Sequence, residues 1–247
     1  MTLCAIHQPN FLPYYGFFDK IANSDKFIIY DDAQFVKRDF HNKNFILLDN
    51  KKFRLSVPIK KSSLKHNINE ILIDNEYNVK RMNWKDYHLL QFKNSYKDTK
   101  NFDYVYTLLN KVYSKNFKYL VNFNIEFIKL ICNLLNINTT FELSSVLSVK
   151  NNIETHSTLK LIELCKSVGA DTYLSGSGGK SYLDESLFLK HNIILKYQDF
   201  KLPYYKQNSN IFVKNLSILD YLFVKDDINR TINAGSSRRT LTTNFAA

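Results

Sequence analysis

The stretch LCAIHQPNFLPYYGFFDKIANSDKFIIYDD, residues 3–32, decides the expected fold. Its first part, Leu3 to Ile6, is a short apolar run that stops at a polar turn containing proline, which is typical of a buried strand. Apolar and aromatic residues then recur at helical spacing over residues 14–22, and residues 26–30 form a second short apolar run. A strand, a turn, a helix and a strand in this order predict a βαβ unit with parallel strands.

The rest of the chain continues with strands and helices around a helical middle. Residues 45–48 and 53–57 flank a polar turn and predict a hairpin, and residues 71–73 predict an edge strand. Neither proline nor glycine occurs between residues 59 and 168, which favours helices there. From apolar periodicity we expect helices at 77–96, 102–113, 119–135, 155–167 with Thr155 as cap, 182–190 and 218–224, and strands at 172–174 and 193–197.

These elements predict an α/β fold with a Rossmann-like sheet and a central helical insertion at about residues 77–136. The opening strand, loop and helix resemble the start of the nucleotidyltransferase-like HUP folds, although the His-x-Gly-His motif of that group is absent. Ser236–Thr240 is only loosely similar to their later Ser-Ser-Thr-x-x-Arg motif. We expect one α/β domain at residues 1–224 and a polar tail at 225–247, because no linker rich in Ser, Gly or Pro separates parts of the chain.

Composition excludes several classes of protein. Hydrophobic residues make up 45% and aromatic residues 15% of the 247 residues, which excludes a disordered chain. No run of about 18 apolar residues and no secretory signal are present, so we expect a cytoplasmic protein without a membrane span. The three cysteines, Cys4, Cys132 and Cys165, lie in apolar runs without metal-ligand spacing, and we expect them to be buried.

The formal net charge of +11 comes from 28 Lys and only 6 Arg. Nucleic-acid interfaces favour Arg, because its guanidinium pairs with phosphates and stacks on bases. The lysines occur beside 28 Asn, a combination that AT-rich codons produce. The charge therefore indicates a solvated basic surface that attracts an anionic ligand, with a dedicated RNA-binding face as the alternative.

The loop after the first predicted strand, His7–Gly16, is the first candidate site. Ligands of open α/β sheets bind beyond the carboxyl ends of the strands, where this loop is expected. His7 is a candidate general base or phosphate ligand, and Gln8, Asn10 and Tyr14 are candidate substrate-binding residues. The alternative is a rigid turn in which the backbone satisfies His7.

The loop after the second predicted strand, residues 31–44, is expected beside the first loop. Its carboxylates, cations, histidine and amides suit acid–base chemistry and the binding of a diphosphate. Successive side chains of an extended chain point in opposite directions, so we expect at most one of Asp31 and Asp32 to face the site. The other candidates are Lys37, Arg38, His41, Asn42 and Asn44. A solvated charged loop is the alternative.

Three of the six glycines cluster in a third segment, Ser175–Asp184. Glycine permits close approach of the backbone to a ligand, and a lysine and a tyrosine follow directly. The spacing fits neither a Walker loop nor GxGxxG, so an ordinary turn is the alternative. The candidate binding residues here are Gly176, Gly178, Gly179, Lys180 and Tyr182.

A fourth segment, Leu202–Gln207, offers an aromatic face. Tyr204 is the candidate there for stacking on a base or a sugar, against packing in the core. Asp31 and Asp32 could hold a metal, but no spacing of His, Cys, Asp and Glu requires one, and no metal site is assigned.

Several of these motifs together resemble the WbqC-like protein family. The most specific part is IHQPNFLPYYGFF at residues 6–18, and DKFIIYDD at residues 25–32 follows it. The resemblance continues through residues 36–38, 42–44, Trp84, 173–176, 182–183 and 216–220. Members are found with genes for O-antigen and other surface-glycan synthesis. The resemblance implies work on a nucleotide-activated sugar in the cytoplasm, with acyl or aminoacyl decoration of an amino sugar as the expected chemistry.

The leading hypothesis is an N-acyl- or aminoacyltransferase that acts on a dTDP- or UDP-linked amino sugar. The expected roles are proton acceptance by His7, Asp31 or Asp32, oxyanion stabilisation by His41, Asn42 or Asn44, phosphate binding by Lys37, Arg38 and Lys180, and base stacking by Tyr14 or Tyr204. The implied donor is a coenzyme A thioester, an acyl-carrier protein or an aminoacyl-tRNA, and no other cofactor is predicted.

Three alternatives stay open. The first is a nucleotidyltransferase or ATP-dependent ligase of the HUP type, and the second is a non-catalytic protein that binds nucleotide sugars. The third is a basic RNA-binding protein, whose affinity would fall steeply with salt.

Overall fold

The computed structural model describes residues 1–147 and 157–225. In chain order the strands and helices are β1 (Leu3–His7), α1 (Tyr15–Ala22), β2 (Lys26–Ile29), β3 (Lys43–Leu48), β4 (Lys51–Ser56), β5 (Asn78–Val79), β6 (Met82–Asn83), α2 (Trp84–Tyr96), α3 (Phe102–Tyr113), α4 (Leu120–Leu134), β7 (Thr140–Leu143), α5 (Ser157–Ser167), β8 (Thr172–Ser175), α6 (Glu185–Lys190), β9 (Ile194–Tyr197) and α7 (Ile218–Val224).

The central sheet has five parallel strands in the order β7-β2-β1-β8-β9. The chain starts in the middle with β1, moves outward to β2 and β7, and then returns to the other side of β1 for β8 and β9. This strand order is that of doubly wound dinucleotide-binding sheets. The predicted α/β class and the predicted β1-α1-β2 unit are confirmed, and the order reverses between β1 and β8.

Each face of the sheet packs against its own hydrophobic core. In β1, Leu3 and Ala5 face the larger core, which includes residues of α1 to α4 and α7. Cys4 and Ile6 face the smaller core, which includes residues of α5 and α6. Because side chains alternate along a strand, His7 falls on the side of α1, and its ring lies 4.9 Å from that of Phe17.

The helical middle, α2 to α4, follows the β3–β4 hairpin as expected, but its start was predicted wrongly. The predicted helix at 77–96 begins only at Trp84, because a small β5–β6 hairpin precedes it. Lys80 and Arg81 form its turn with positive φ angles of 51° and 66°. Asn83 then caps α2 by accepting a hydrogen bond from the Lys85 N–H over 3.0 Å.

Other strand predictions had mixed outcomes. The predicted hairpin is confirmed as β3 and β4, joined by Asp49 and Asn50 at positive φ. The predicted edge strand at 71–73 is wrong, since Leu72 and Ile73 form only single bridges. The prediction omitted β7, a short edge strand whose residues are only partly buried or exposed.

The start of one further helix, α6, also differs from prediction. Glycine-rich residues up to Ser181 form a tight 3-10 turn, so α6 begins at Glu185 rather than at residue 182. Asp184 caps it by accepting from the Ser186 N–H over 3.0 Å. The predicted cap Thr155 lies outside the described residues, and so do Ser236–Thr240 and nearly all of the predicted tail.

The cysteines are buried and free, as predicted. Across residues 1–147 and 157–225, no group of three or more His, Cys, Asp or Glu side chains is arranged to hold a metal ion. Within the same ranges, every helix is too short or too polar to cross a membrane.

Candidate functional site

A cleft of about 450 Å³ lies at the carboxyl edge of the sheet, beside the ends of β1 and β8. The strand order reverses at this position, which is where doubly wound sheets bind their ligands. Loops that follow β1, β2, β8 and β9 all contribute to its wall. Its polar lining residues are His7, Gln8, Lys20, Ser157, Ser175, Ser177 and Gln198, and its aromatic ones are Tyr14, Tyr30, Tyr173, Tyr182 and Phe200.

The structure brings part of the predicted site together in this first cleft. The predicted residues that line it are His7, Gln8, Tyr14, Gly176, Gly178, Gly179 and Tyr182. Asn10 and Asn44 line a second, adjoining cleft. The predicted residues that line neither cleft are Asp31, Asp32, Lys37, Arg38, His41, Asn42, Lys180 and Tyr204.

His41 lies behind the first cleft and orients Gln8. The Val36 N–H donates to His41 Nδ1 over 3.3 Å, so the ring proton is on Nε2, which lies 3.0 Å from Gln8 Oε1. Burial lowers the pKa of His41 and keeps its ring neutral. Because the Gln8 oxygen is engaged, its NH₂ group is the donor available to a ligand.

His7 is a neutral imidazole at the junction of the two clefts. Its Nδ1 lies 2.9 Å from the carbonyl oxygen of Gln8, so Nδ1 carries the proton and Nε2 keeps its lone pair. Burial, together with the nearby positive charge of Lys20, lowers the pKa of His7 to about 3. In the empty cleft His7 is therefore a hydrogen-bond acceptor through Nε2.

Lys20 is the main residue that sequence reasoning missed. Its side chain projects from α1 into the wall of the first cleft, it is only 3% exposed, and Nζ donates to the carbonyl oxygen of Ile6 over 3.0 Å. Burial lowers its pKa to about 8, so it is mostly protonated at pH 7. Among the described residues that line this cleft, Lys20 is the sole charged group. The sequence did carry one signal: Lys20 follows Phe17 by three residues, which places it on the buried face of α1.

Gln198 is a second residue that the sequence did not single out. It follows β9, and its NH₂ group donates to Gly16 O over 2.8 Å and to Asp19 Oδ2 over 2.7 Å. Its Oε1 is therefore the atom available in the cleft. Gln8 offers a donor and Gln198 offers an acceptor on the same cleft wall.

Asp31 and Asp32 join β2 to neighbouring elements and lie away from both clefts. Asp31 accepts from the Ser145 N–H over 3.0 Å and from the Ser145 hydroxyl over 2.6 Å. Asp32 accepts from Lys160 Nζ over 2.9 Å. Both carboxylates also lie within hydrogen-bond reach of the Ser144 hydroxyl, and neither lines a cleft. They follow the end of β2 in a turn, where strand alternation no longer applies.

The predicted phosphate-binding cations lie on the exposed surface. Lys37 and Arg38 are exposed in the loop after β2, and the ammonium of Lys180 lies 5.3 Å from the centre of the Tyr197 ring. Tyr204 is 81% exposed and its ring packs against Phe212, 5.0 Å away between centroids. The sequence of a polar loop does not indicate whether its lysine and arginine side chains face a cleft or solvent.

Asn42 and Asn44 bond the backbone around the site. Asn42 donates to the Val57 carbonyl oxygen over 2.9 Å. Asn44 donates to the carbonyl oxygens of Phe11 and Leu12 over 3.1 and 2.8 Å, which holds the loop after β1 in place. Their amides therefore position the loops that carry His7 and Gln8.

The glycine-rich turn has one packing role and two open positions. A Cβ at Gly179 would lie 2.1 Å from Ser175 Oγ, so this turn requires glycine there. A Cβ at Gly176 or Gly178 would meet no atom within 4 Å. These two glycines therefore leave space at the cleft for a ligand to approach the backbone.

A second cleft of about 420 Å³ adjoins the first. His7 and Tyr14 line both clefts and so mark the boundary between them. The other lining residues of the second cleft are Asn10, Asp39, Phe40, Asn44 and Asn215.

Comparison with known proteins gives two matches. The model of the WbqC-like protein family matches residues 8–231. The chain is also 32% identical over 226 residues to the uncharacterized protein Rv1507c of Mycobacterium tuberculosis, covering 90% of this chain and 94% of that protein. No solved structure matches the chain significantly.

Proposed function

The chain belongs to the WbqC-like protein family, as its motifs predicted, and on this premise we propose that it is an N-acyl- or aminoacyltransferase for a nucleotide-linked amino sugar. The observation that carries the proposal is the charge of the first cleft. Lys20 is buried in its wall, and no carboxylate belongs to the described residues that line it. A cleft of this charge, at the strand reversal of a doubly wound sheet, suits the diphosphate of a nucleotide sugar.

The polar residues of the cleft can position such a substrate. Lys20 pairs with a phosphate oxygen, since an ammonium is a compact partner for phosphate. Gln8 donates to an acceptor and Gln198 accepts from a donor, which together can hold the edge of a base or a sugar. Tyr14 and Tyr182, both exposed at the cleft, can stack on a ring.

His7 is our candidate for handling the proton of the attacking amine. Its free Nε2 accepts a hydrogen bond from the amine and orients the nitrogen lone pair. A pKa of about 3 makes His7 a weak base in the empty cleft. A bound diphosphate beside Lys20 offsets the positive charge that lowers this pKa, so substrate binding makes His7 a stronger base.

His41, Asn42 and Asn44 are no longer our candidates for stabilising the oxyanion. The hydrogen-bonding groups of His41 point to Gln8 and Val36. The amides of Asn42 and Asn44 are bonded to backbone carbonyl oxygens. For the donor of the acyl or aminoacyl group we propose only its chemical class, which is a coenzyme A thioester, a carrier protein or an aminoacyl-tRNA.

A ligand panel followed by a turnover assay tests the proposal. We expect dTDP- or UDP-linked amino sugars to raise the Tm of the purified protein, with a smaller effect from the bare nucleotides. With the matching donor class, His7→Ala should lower turnover by about 10²–10⁴ while substrate binding persists. No thermal shift with any nucleotide sugar, or full turnover by His7→Ala, would contradict the assignment.

A second candidate is a nucleotidyltransferase or ATP-dependent ligase. It is favoured by the placement of His7 at the end of a central parallel strand and of Pro9 in the loop before α1, as at the start of HUP folds. This candidate predicts consumption of a nucleoside triphosphate and release of pyrophosphate. A pyrophosphate assay with amino sugars, in the presence of ATP, UTP or dTTP, distinguishes it from acyl transfer.

A further inference from the structure

The two clefts that meet at His7 and Tyr14 differ in charge. The first holds the buried ammonium of Lys20 and no carboxylate among its described lining residues. The second is lined by Asp39, and none of its described lining residues is a lysine or an arginine. A ligand that extends across His7 and Tyr14 therefore meets a positive group at one end and a negative group at the other.

The carboxylate of Asp39 is available to a ligand. Asp39 is exposed, and no ion pair or hydrogen bond to its carboxylate is found within the described residues. The nearby Lys43 donates to the Lys37 carbonyl oxygen over 2.9 Å. The charge of Asp39 raises the pKa of His41, but burial lowers it more and keeps the ring neutral. The carboxylate is thus an unneutralised negative charge at the second cleft.

The rest of the second cleft suits a polar ring. The side chains of Asn10 and Asn215 make no hydrogen bond to another described residue and can serve hydroxyl groups. Phe40 is 43% exposed on the wall and offers an apolar face. Amides beside an exposed aromatic ring match the two surfaces of a sugar, its hydroxyl edge and its C–H face.

Resting on the proposed function, we infer that the second cleft binds the amine-bearing sugar of the nucleotide-linked substrate, with Asp39 paired to its ammonium in the resting complex. The ammonium releases one proton to solvent before its nitrogen attacks, and His7 Nε2 accepts the second proton that the attack frees. The nucleotide diphosphate then lies in the first cleft beside Lys20. One dipolar ligand spans both clefts in this arrangement, and its amine lies on the same side of His7 as Asp39. Asp39 becomes the residue that selects an amino sugar over its hydroxyl counterpart.

Titration calorimetry at pH 7 with two matched pairs tests this inference. The pairs are UDP-glucosamine with UDP-glucose, and dTDP-4-amino-4,6-dideoxyglucose with dTDP-6-deoxyglucose. In at least one pair we expect the wild type to bind the amine member about fivefold more tightly, the effect of one partly exposed ion pair. Asp39→Asn should abolish this preference and leave the affinity for the hydroxyl member unchanged.

The matched control is Asp49→Asn, which changes the net charge equally at an exposed turn outside both clefts. Asp49 has a positive φ of 51°, which asparagine also tolerates, so this variant should fold and bind as the wild type does. The inference is overturned if Asp39→Asn lowers the affinity for both members of a pair equally. It is also overturned if the variant keeps the wild-type preference for the amine. Binding of both members would still support the proposed function, whereas no binding by any member overturns both.

Discussion

Gln8 and Gln198 have the same side chain but offer opposite groups to the cleft, because their partners differ. His41 occupies the oxygen of Gln8, and Gly16 and Asp19 occupy the nitrogen of Gln198. At the scale of single residues, the chemistry of the site is therefore set by neighbours that do not touch a ligand themselves.

Gln8→Glu tests this arrangement at constant size. The glutamate can still accept from His41, but its second oxygen brings a negative charge where the NH₂ group stood. We expect the affinity for a nucleotide sugar to fall at least about tenfold, because an acceptor with charge replaces a donor to an anion. The control Gln34→Glu makes the same charge change at an exposed position outside both clefts. Equal affinities for Gln8→Glu and the control would refute the role of Gln8.

The sequence identified residue types better than it identified their partners. His7, Gln8 and the open glycines were predicted because a polar loop at the end of a buried strand has few positions to occupy. Lys20 was missed because a lysine in an amphipathic helix is ordinarily solvated. Only the packing of α1 against β1 turns that lysine toward the cleft.

At the scale of elements, Asp31 joins the end of β2 to the turn after β7. Its carboxylate accepts from the Ser144 hydroxyl and from two groups of Ser145. The sequence placed Asp31 correctly at the end of β2, but β7 was not predicted, so its partners were not foreseen. A carboxylate at a strand end was therefore interpreted as a candidate base.

The variant Asp31→Ala distinguishes a structural role of Asp31 from a role as catalytic base. We expect it to lower the free energy of unfolding by about 1–3 kcal/mol, because the buried Ser144 hydroxyl and two groups of the exposed Ser145 lose this acceptor. The control Asp98→Ala, at an exposed position after α2, should change it by less than about 0.5 kcal/mol. Chemical denaturation measures both. Unchanged stability of Asp31→Ala together with lost turnover would restore Asp31 as a catalytic candidate.

Element types were predictable where a run was strongly periodic and flanked by polar turns. The bounds of α3 and α7 agree with prediction because their apolar periodicity starts and stops sharply. The start of α2 was predicted too early, because Tyr77 and Val79 continue its periodicity by chance. Lys80 and Arg81 form the turn there, and neither is a residue type that commonly adopts a positive φ.

At the scale of the whole molecule, several histidines are buried in the neutral form. Burial lowers the pKa of His7 and of His88 to about 3, and it lowers that of His41. In the unfolded chain these rings have a pKa near about 6.5. Below that pH the unfolded state binds protons that the folded state does not, so stability is lost as the pH falls.

We therefore expect the free energy of unfolding to decrease from pH 6.5 toward pH 4. The slope should approach about 1.4 kcal/mol per pH unit for each of His7 and His88. Denaturant titrations at intervals of one pH unit measure it. His66→Gln, at a side chain that is 51% exposed, should keep the same slope. A stability that is flat between pH 7 and pH 5 would contradict the buried neutral histidines.

The strand order brings the separate binding segments, the loop after β1 and the glycine-rich turn, together in one cleft. The sequence predicted parallel strands, but neighbours such as β1 and β8, whose residues are far apart along the chain, are determined by tertiary packing. This pairing brings the loop after β1 beside the glycine-rich turn and places Lys20 between them.

Titration calorimetry of a nucleotide-linked amino sugar, with the wild type and Lys20→Met, tests the central claim most directly. We predict that Lys20→Met weakens binding at least about tenfold at pH 7, because it removes the charged group of the cleft. For the hydroxyl counterpart of the sugar nucleotide, which has no titrating amine, wild-type affinity should also fall between pH 7 and pH 9, since the pKa of Lys20 is about 8, whereas the affinity of the variant should not change. Equal affinities and equal pH profiles would contradict an anion-binding cleft centred on Lys20.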